Sequence, residues 1–113
     1  MSDTRAGERE ALFADFAKTV NLPAGQLERW LETEESRSVD RHKGQSESQG
    51  HAAGRRIVRL LRTRKADFTA DDLAHMRKVV RHVSRHLEQR PRGDVSETPW
   101  RFSLMNWGHD PQR

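Results

Sequence analysis

Apolar residues fall on a helical beat in four stretches of the chain and lose it in between. From Glu8 to Val20, residues Ala11, Leu12, Phe13, Phe16 and Val20 recur near the helical period, with Phe13 and Phe16 as neighbours on one face. Asn21-Leu22-Pro23 interrupts this pattern. Proline has no N–H to give a helix interior but suits the first turn of the next helix. That second helix is predicted from Ala24 to about Thr33, with Leu27, Trp30 and Leu31 inward, so the two form an αα-hairpin. Residues 34–49, EESRSVDRHKGQSESQ, carry only Val39 as an apolar side chain and read as a polar loop.

The beat resumes at Ser48, a suitable N-cap, with Ala53, Ile57, Leu60 and Leu61 as the buried stripe of a third helix that closes near Arg64-Lys65-Ala66-Asp67. Thr69 then caps a fourth helix, with Asp72 at the capping-box position and Asp71 beside it in the first turn. This helix is predicted from Ala70 to about Glu88. Its Leu73, Met76, Val80, Val83 and Leu87 stand at 3-4-3-4 spacing, a narrow seam like that of a coiled coil. Pro91-Arg92-Gly93-Asp94 ends it, and residues 92–113 form a tail that concentrates Trp100, Phe102, Leu104, Met105 and Trp107. The expected fold is a single all-α domain over residues 1–113: a four-helix unit of two short N-terminal helices and two longer basic ones, with the aromatic tail packed on it.

Composition sharpens this picture. Apolar residues are 33% and charged residues 34% of the chain, against a usual ~45–50% and ~25%. So thin a core needs every large apolar side chain, and the tail tryptophans are therefore expected to fold back rather than wave free. Asn106-Trp107-Gly108 reads as a turn. The absence of cysteine excludes disulfides, thiolate metal sites and a cysteine nucleophile. The opening MSDTRAGEREALF lacks the apolar run of a secretion signal, and no stretch approaches the ~20 apolar residues of a membrane span. These features point to the cytoplasm, in association with the nucleoid, or to the nucleus in a eukaryote.

Charge is polarised. Residues 1–40 carry five basic and nine acidic side chains, whereas residues 55–92 carry twelve basic and four acidic. In the third helix and the turn after it, Arg55, Arg56, Arg59, Arg62, Arg64 and Lys65 flank the apolar stripe. In the fourth, Arg77, Arg81 and Arg85 stand at i, i+4, i+8 in one column, with Lys78 beside them. Like charges at that spacing repel by a few tenths of a kcal/mol per pair, so a counter-charge is expected from the acidic half or from a phosphate backbone. Guanidinium groups suit phosphates and guanine edges. The reading is nucleic-acid binding, to duplex DNA foremost, mostly through phosphates and hence with low sequence specificity. If the two basic helices lie side by side, their flanks make one cationic strip. The competing reading is a non-enzymatic interaction module, such as a homodimer formed through the seam of the fourth helix.

Three further features bear on chemistry. Gly50, Ala52, Ala53 and Gly54 at the start of the third helix admit either a phosphate at free N–H groups or a closely packed neighbouring helix. His82 and His86 share the i, i+4 spacing of metal ligands. No fixed third ligand accompanies them, so partly exposed histidines on a basic face are the simpler reading, with no metal and no cofactor. No catalytic constellation or phosphate loop is present, which favours a protein that is not an enzyme.

Two stretches, GHAAGRRIVRLLRTRKADFTADDLAHMRKVVRHVSRHLEQRP and WRFSLMNWGHDP, together with NLPAGQLERWL, resemble an uncharacterised family of small bacterial and fungal proteins, the domain-of-unknown-function family thirty-one-forty. Its members are often labelled DNA-binding. The resemblance covers most of residues 10–110 and implies DNA binding without assigning a site, a mechanism or a catalytic motif.

Overall fold

The structure, a computed structural model, describes residues 2–113, with side chains from Ala6 onward. Its helices are α1 (Ser2–Thr19), α2 (Ala24–Leu31), α3 (Glu34–Ser38), α4 (Gln49–Leu61), α5 (Ala70–Leu87) and α6 (Pro99–Asn106), with a 3-10 turn over Lys65–Asp67. Among the described residues there is no strand, and no helix is long and apolar enough to cross a membrane. The all-α class is as the sequence implies; the number and partnering of the helices are not.

Local chemistry sets each boundary. Pro23 precedes α2, and the Ser48 hydroxyl accepts from the His51 amide to start α4. The Thr69–Asp72 capping box is complete at α5, each side chain bonded to the other residue's amide. α1 begins at Ser2, one and a half turns earlier than the apolar pattern from Glu8 implied. The segment read as a loop contains α3, which the Thr33 hydroxyl caps by accepting from the Ser36 amide, with Glu34 and Glu35 favourably placed in its first turn. The aromatic tail holds α6. Thr98 caps it, Pro99 occupies its first turn, and a Schellman motif ends it: the His109 amide donates to Leu104 O and the Gly108 amide to Met105 O, with Gly108 at φ 81°.

Two helix pairs, α2 on α4 and α1 on α5, are joined by α6, which touches α2, α3, α4 and α5. The two basic helices are thus not principal neighbours; each packs first against an N-terminal helix, and they meet mainly through α6. The core runs through all of these contacts: Leu27, Ile57, Val79 and Leu104 are fully buried, and Trp100 and Trp107 lie within it. On α5 the buried residues are Met76, Val79 and Val83, whereas Val80 is half-buried and Leu87 is exposed. The narrow seam becomes a broader stripe because α5 faces both α1 and α6. For the same reason α4 buries Gly54 and Val58 alongside Ala53, Ile57 and Leu60, and leaves Leu61 exposed.

Two polar devices lock α6 in place. Asn106, fully buried, accepts from Trp30 Nε1 at 2.8 Å and from the Ser36 hydroxyl, and its own amide donates to Ser36 O at 2.9 Å. At the end of the helix, the amides of Asn21 and Leu22 both donate to Gly108 O. His109 Nδ1 meets Thr19 O at 2.7 Å, and Asn21 exchanges two hydrogen bonds with the backbone of Asp110.

Candidate nucleic-acid interface

The cations of α4 and the following turn have, with one exception, found carboxylates inside the chain. Arg55 grips Glu47 through two nitrogens, Nε at 2.7 Å and a terminal nitrogen at 2.6 Å. Glu47 also meets His51 Nδ1, and the Arg55 hydrogen bond leads in holding its carboxyl at about 2. Arg62 forms the same fork on Glu28 at 3.0 and 3.2 Å, Arg56 reaches Asp72 at 3.3 Å, and Arg64 reaches Asp67 at 3.2 Å. Lys65 sits 4.0 Å from Glu10 and 5.2 Å from the centre of the Phe13 ring. Arg56 is partly buried and is withdrawn from the surface by its reach to the start of α5. Arg59 alone of this group is exposed without a carboxylate partner among the described residues.

The fourth predicted helix behaves differently. Arg77, Lys78, Arg81 and Arg85 on α5 are all exposed, and none has an ion-pair partner among the described residues. Arg77 to Arg85 spans eight residues, or about 12 Å of helix. Over that length duplex DNA presents about seven phosphate charges, counting both strands. The three arginines also line a shallow groove between α1 and α5, with Leu12 and Val80 as its apolar floor and Asp15 and Glu88 at its edges. Carboxylates spread along the chain, two of them from its acidic half, thus pair with the cations of α4 and the following turn, and none among the described residues pairs with those of α5. Only the carboxylates at positions 10, 28, 47, 67 and 72 take part, and the sequence distances between partners run from 3 to 55 residues.

The histidines are not displayed on the basic face. His75, His82 and His86 turn toward α6 and stack with its tryptophans: His82 on Trp107 at 4.0 Å, His75 on Trp107 at 6.5 Å and His86 on Trp100 at 6.1 Å, all within 21° of parallel. Their Nε2 atoms are sealed from solvent without partners, and burial holds His75 and His82 below their ordinary 6.5. Among the described residues, no three His, Asp or Glu side chains converge as a metal-ligand set.

The small residues of α4 divide by role. A Cβ on Gly54 would lie 2.4 Å from Asn106 O and 2.8 Å from Leu31 Cδ2, so this glycine lets α4 lie against α6 and α2. A Cβ on Gly50 would stand 3.0 Å from the Trp107 ring nitrogen, and both residues line a cavity that no residue pattern signalled.

The fold is therefore compact and all-α, and it presents one cationic column without a carboxylate partner among the described residues. The chain matches the model of the family described as Protein of unknown function (DUF3140) over residues 15–105, and it belongs to that family. No curated protein and no solved structure matches it.

Proposed function

We propose that this protein binds nucleic acid, duplex DNA foremost, through phosphate contacts made by α5. What supports the reading is the contrast between the two basic helices. Arg55, Arg56, Arg62 and Arg64 each hold a carboxylate of their own chain, whereas Arg77, Lys78, Arg81 and Arg85 hold none among the described residues. Unpaired arginines in one column repel each other, and a phosphate backbone relieves that repulsion while releasing counterions. Contacts of this kind carry no base information, so binding is of low sequence specificity. Arg59 extends the contact set if the ligand reaches α4.

The competing reading, a dimer through the α5 seam, has less support, because Met76 and Val83 are already buried within the chain and only Leu87 of that seam is exposed. The test is a salt titration of binding to random-sequence duplex. Replacing Arg77, Arg81 and Arg85 by Ala should weaken binding to every sequence alike and lower the slope of log K against log[salt] by about 1 for each contact removed. Absence of binding at about 50 mM salt, where the electrostatic contribution is strong, would refute the proposal and favour the interaction module.

A further inference from the structure

A cavity of about 520 Å³, lined by polar and apolar surface alike, opens between the α3–α4 connection, α5 and α6. Its floor is made by Gly50, His82, Ser103 and Trp107, and its rim by exposed Asp40, His42, Gln45 and Gln49. Three kinds of hydrogen-bond donor converge on the floor without a use inside the protein.

The first is the indole N–H of Trp107. Trp30 Nε1 donates to Asn106 Oδ1 and Trp100 Nε1 to His86 O, but Trp107 Nε1, on a residue only 3% exposed, meets no acceptor among the described residues. An indole N–H can only donate, and this one is not among the sealed nitrogens: it opens onto the cavity, where a ligand can reach it. The second is Ser103, one helical turn before Trp107 on the same face of α6. It is 4% exposed, and its hydroxyl makes no hydrogen bond among the described residues. The third is the start of α4. Its first two amides, Gln49 and Gly50, have no intrahelical partner, since the Ser48 hydroxyl takes the amide of His51. A Cβ on Gly50 would stand 3.0 Å from Trp107 Nε1, so the space between this amide and the indole nitrogen exists because the residue is glycine.

We infer that this cavity is a binding site for a phosphate-type oxyanion, either free phosphate or the end group of a small molecule. Donors alone line its floor at these three points, and the positive end of the α4 dipole adds to them. His82 supplies a wall through its ring, which stacks on Trp107, rather than through Nε2, which is sealed. Asp40 opposes an anion from the rim, but it is exposed, and solvent and salt screen it. The cavity lining includes none of the proposed duplex contacts, so either reading can fail without the other.

The experiment uses the whole ¹⁵N-labelled chain, titrated with sodium phosphate at constant ionic strength and followed by the three indole N–H resonances. A phosphomonoester, glycerol phosphate, serves as a second arm and sodium chloride as the control. The Trp107 resonance should shift and saturate while those of Trp30 and Trp100 stay put. Tighter binding of the monoester would assign the end group of a small molecule; equal affinity would assign free phosphate. Ser103→Ala, which deletes only a hydroxyl, should weaken phosphate about tenfold, as expected for a hydrogen bond to a charged group. Gly50→Ala should weaken it further by filling the cradle. Asp40→Asn, at a position with φ 61° that Asn tolerates, should tighten it severalfold. The Arg77/Arg81/Arg85→Ala variant should leave the Trp107 shift intact. A Trp107 resonance that stays still up to about 10 mM phosphate, or that follows chloride equally, would overturn the site, as would unchanged affinity in Ser103→Ala.

Discussion

Replacing Gly54 by Ala tests whether α4 and α6 touch backbone to backbone. In an ordinary helix interior the change is stabilising by about 0.5–1 kcal/mol, because alanine loses less conformational freedom on folding. Here the new Cβ would stand 2.4 Å from the carbonyl oxygen of Asn106 and 2.8 Å from Leu31 Cδ2. Leu31 can turn aside; a backbone oxygen at the end of α6 can move only if the Asn106 cluster and the Gly108 turn move with it. Overpacking of this kind costs about 1–3 kcal/mol, and more where backbone must shift. The balance is a loss of about 1–2 kcal/mol, or a fall of about 4–8 °C in Tm for a domain of this size. Gly7→Ala is the matched control, because it lies inside α1 with nothing within 4 Å of the new Cβ, and it should raise stability by the propensity difference alone. Urea denaturation of both variants reads the contrast. A Gly54→Ala protein as stable as the parent would show that α4 and α6 do not meet so closely, and the packing argument would fall.

Two further outcomes follow from the buried polar groups. Asn106→Ala strands the Trp30 indole N–H and the Ser36 hydroxyl and carbonyl in the interior, and should cost about 2–4 kcal/mol in the same denaturation assay, with a shift of the Trp30 indole resonance. Acid should weaken the fold in two windows. Burial lowers His75 and His82 from 6.5, so the unfolded chain takes up their protons more readily, and their stabilisation is present above 6.5 and lost as pH falls through the folded values. Glu47, held at about 2 against an ordinary 4.5, adds a second decline below 4.5. Urea midpoints measured from about pH 8 to 3 should show both, and Glu47→Gln should shrink the lower one, to which Asp72 and Asp110 also contribute, while leaving the upper one unchanged.

The helices with an apolar beat were legible in the sequence, as was the capping of α5, since both depend on residues a few positions apart. α3 was not, because five residues contain no period; the only local sign was Thr33 ahead of two glutamates. α6 reads as aromatic tail in the sequence although Thr98-Pro99 at one end and Gly108 at the other are start and stop signals, because its apolar residues surround the helix rather than striping it. The cationic residues were found, but which of them remain unpaired was not readable. Glu28 and Arg62 are 34 residues apart and become neighbours only when α2 packs on α4. The Trp107 cavity was hidden for the same reason, since Gly50 and Ser103 come together only through the tertiary fold.

The clasp between Gly108–Asp110 and the α1–α2 corner also bears on how the protein is made. Its hydrogen bonds join positions 86 to 90 residues apart. Closing so long a loop carries an entropic penalty that only the finished packing repays. On the ribosome, the corner at Thr19–Leu22 must wait for residues 108–110 to emerge before its carbonyls and amides find their mates. The expected α1–α2 hairpin does not pack as one, α1 lying on α5 and α2 on α4, and the corner between them is fixed only after residue 110 leaves the exit tunnel.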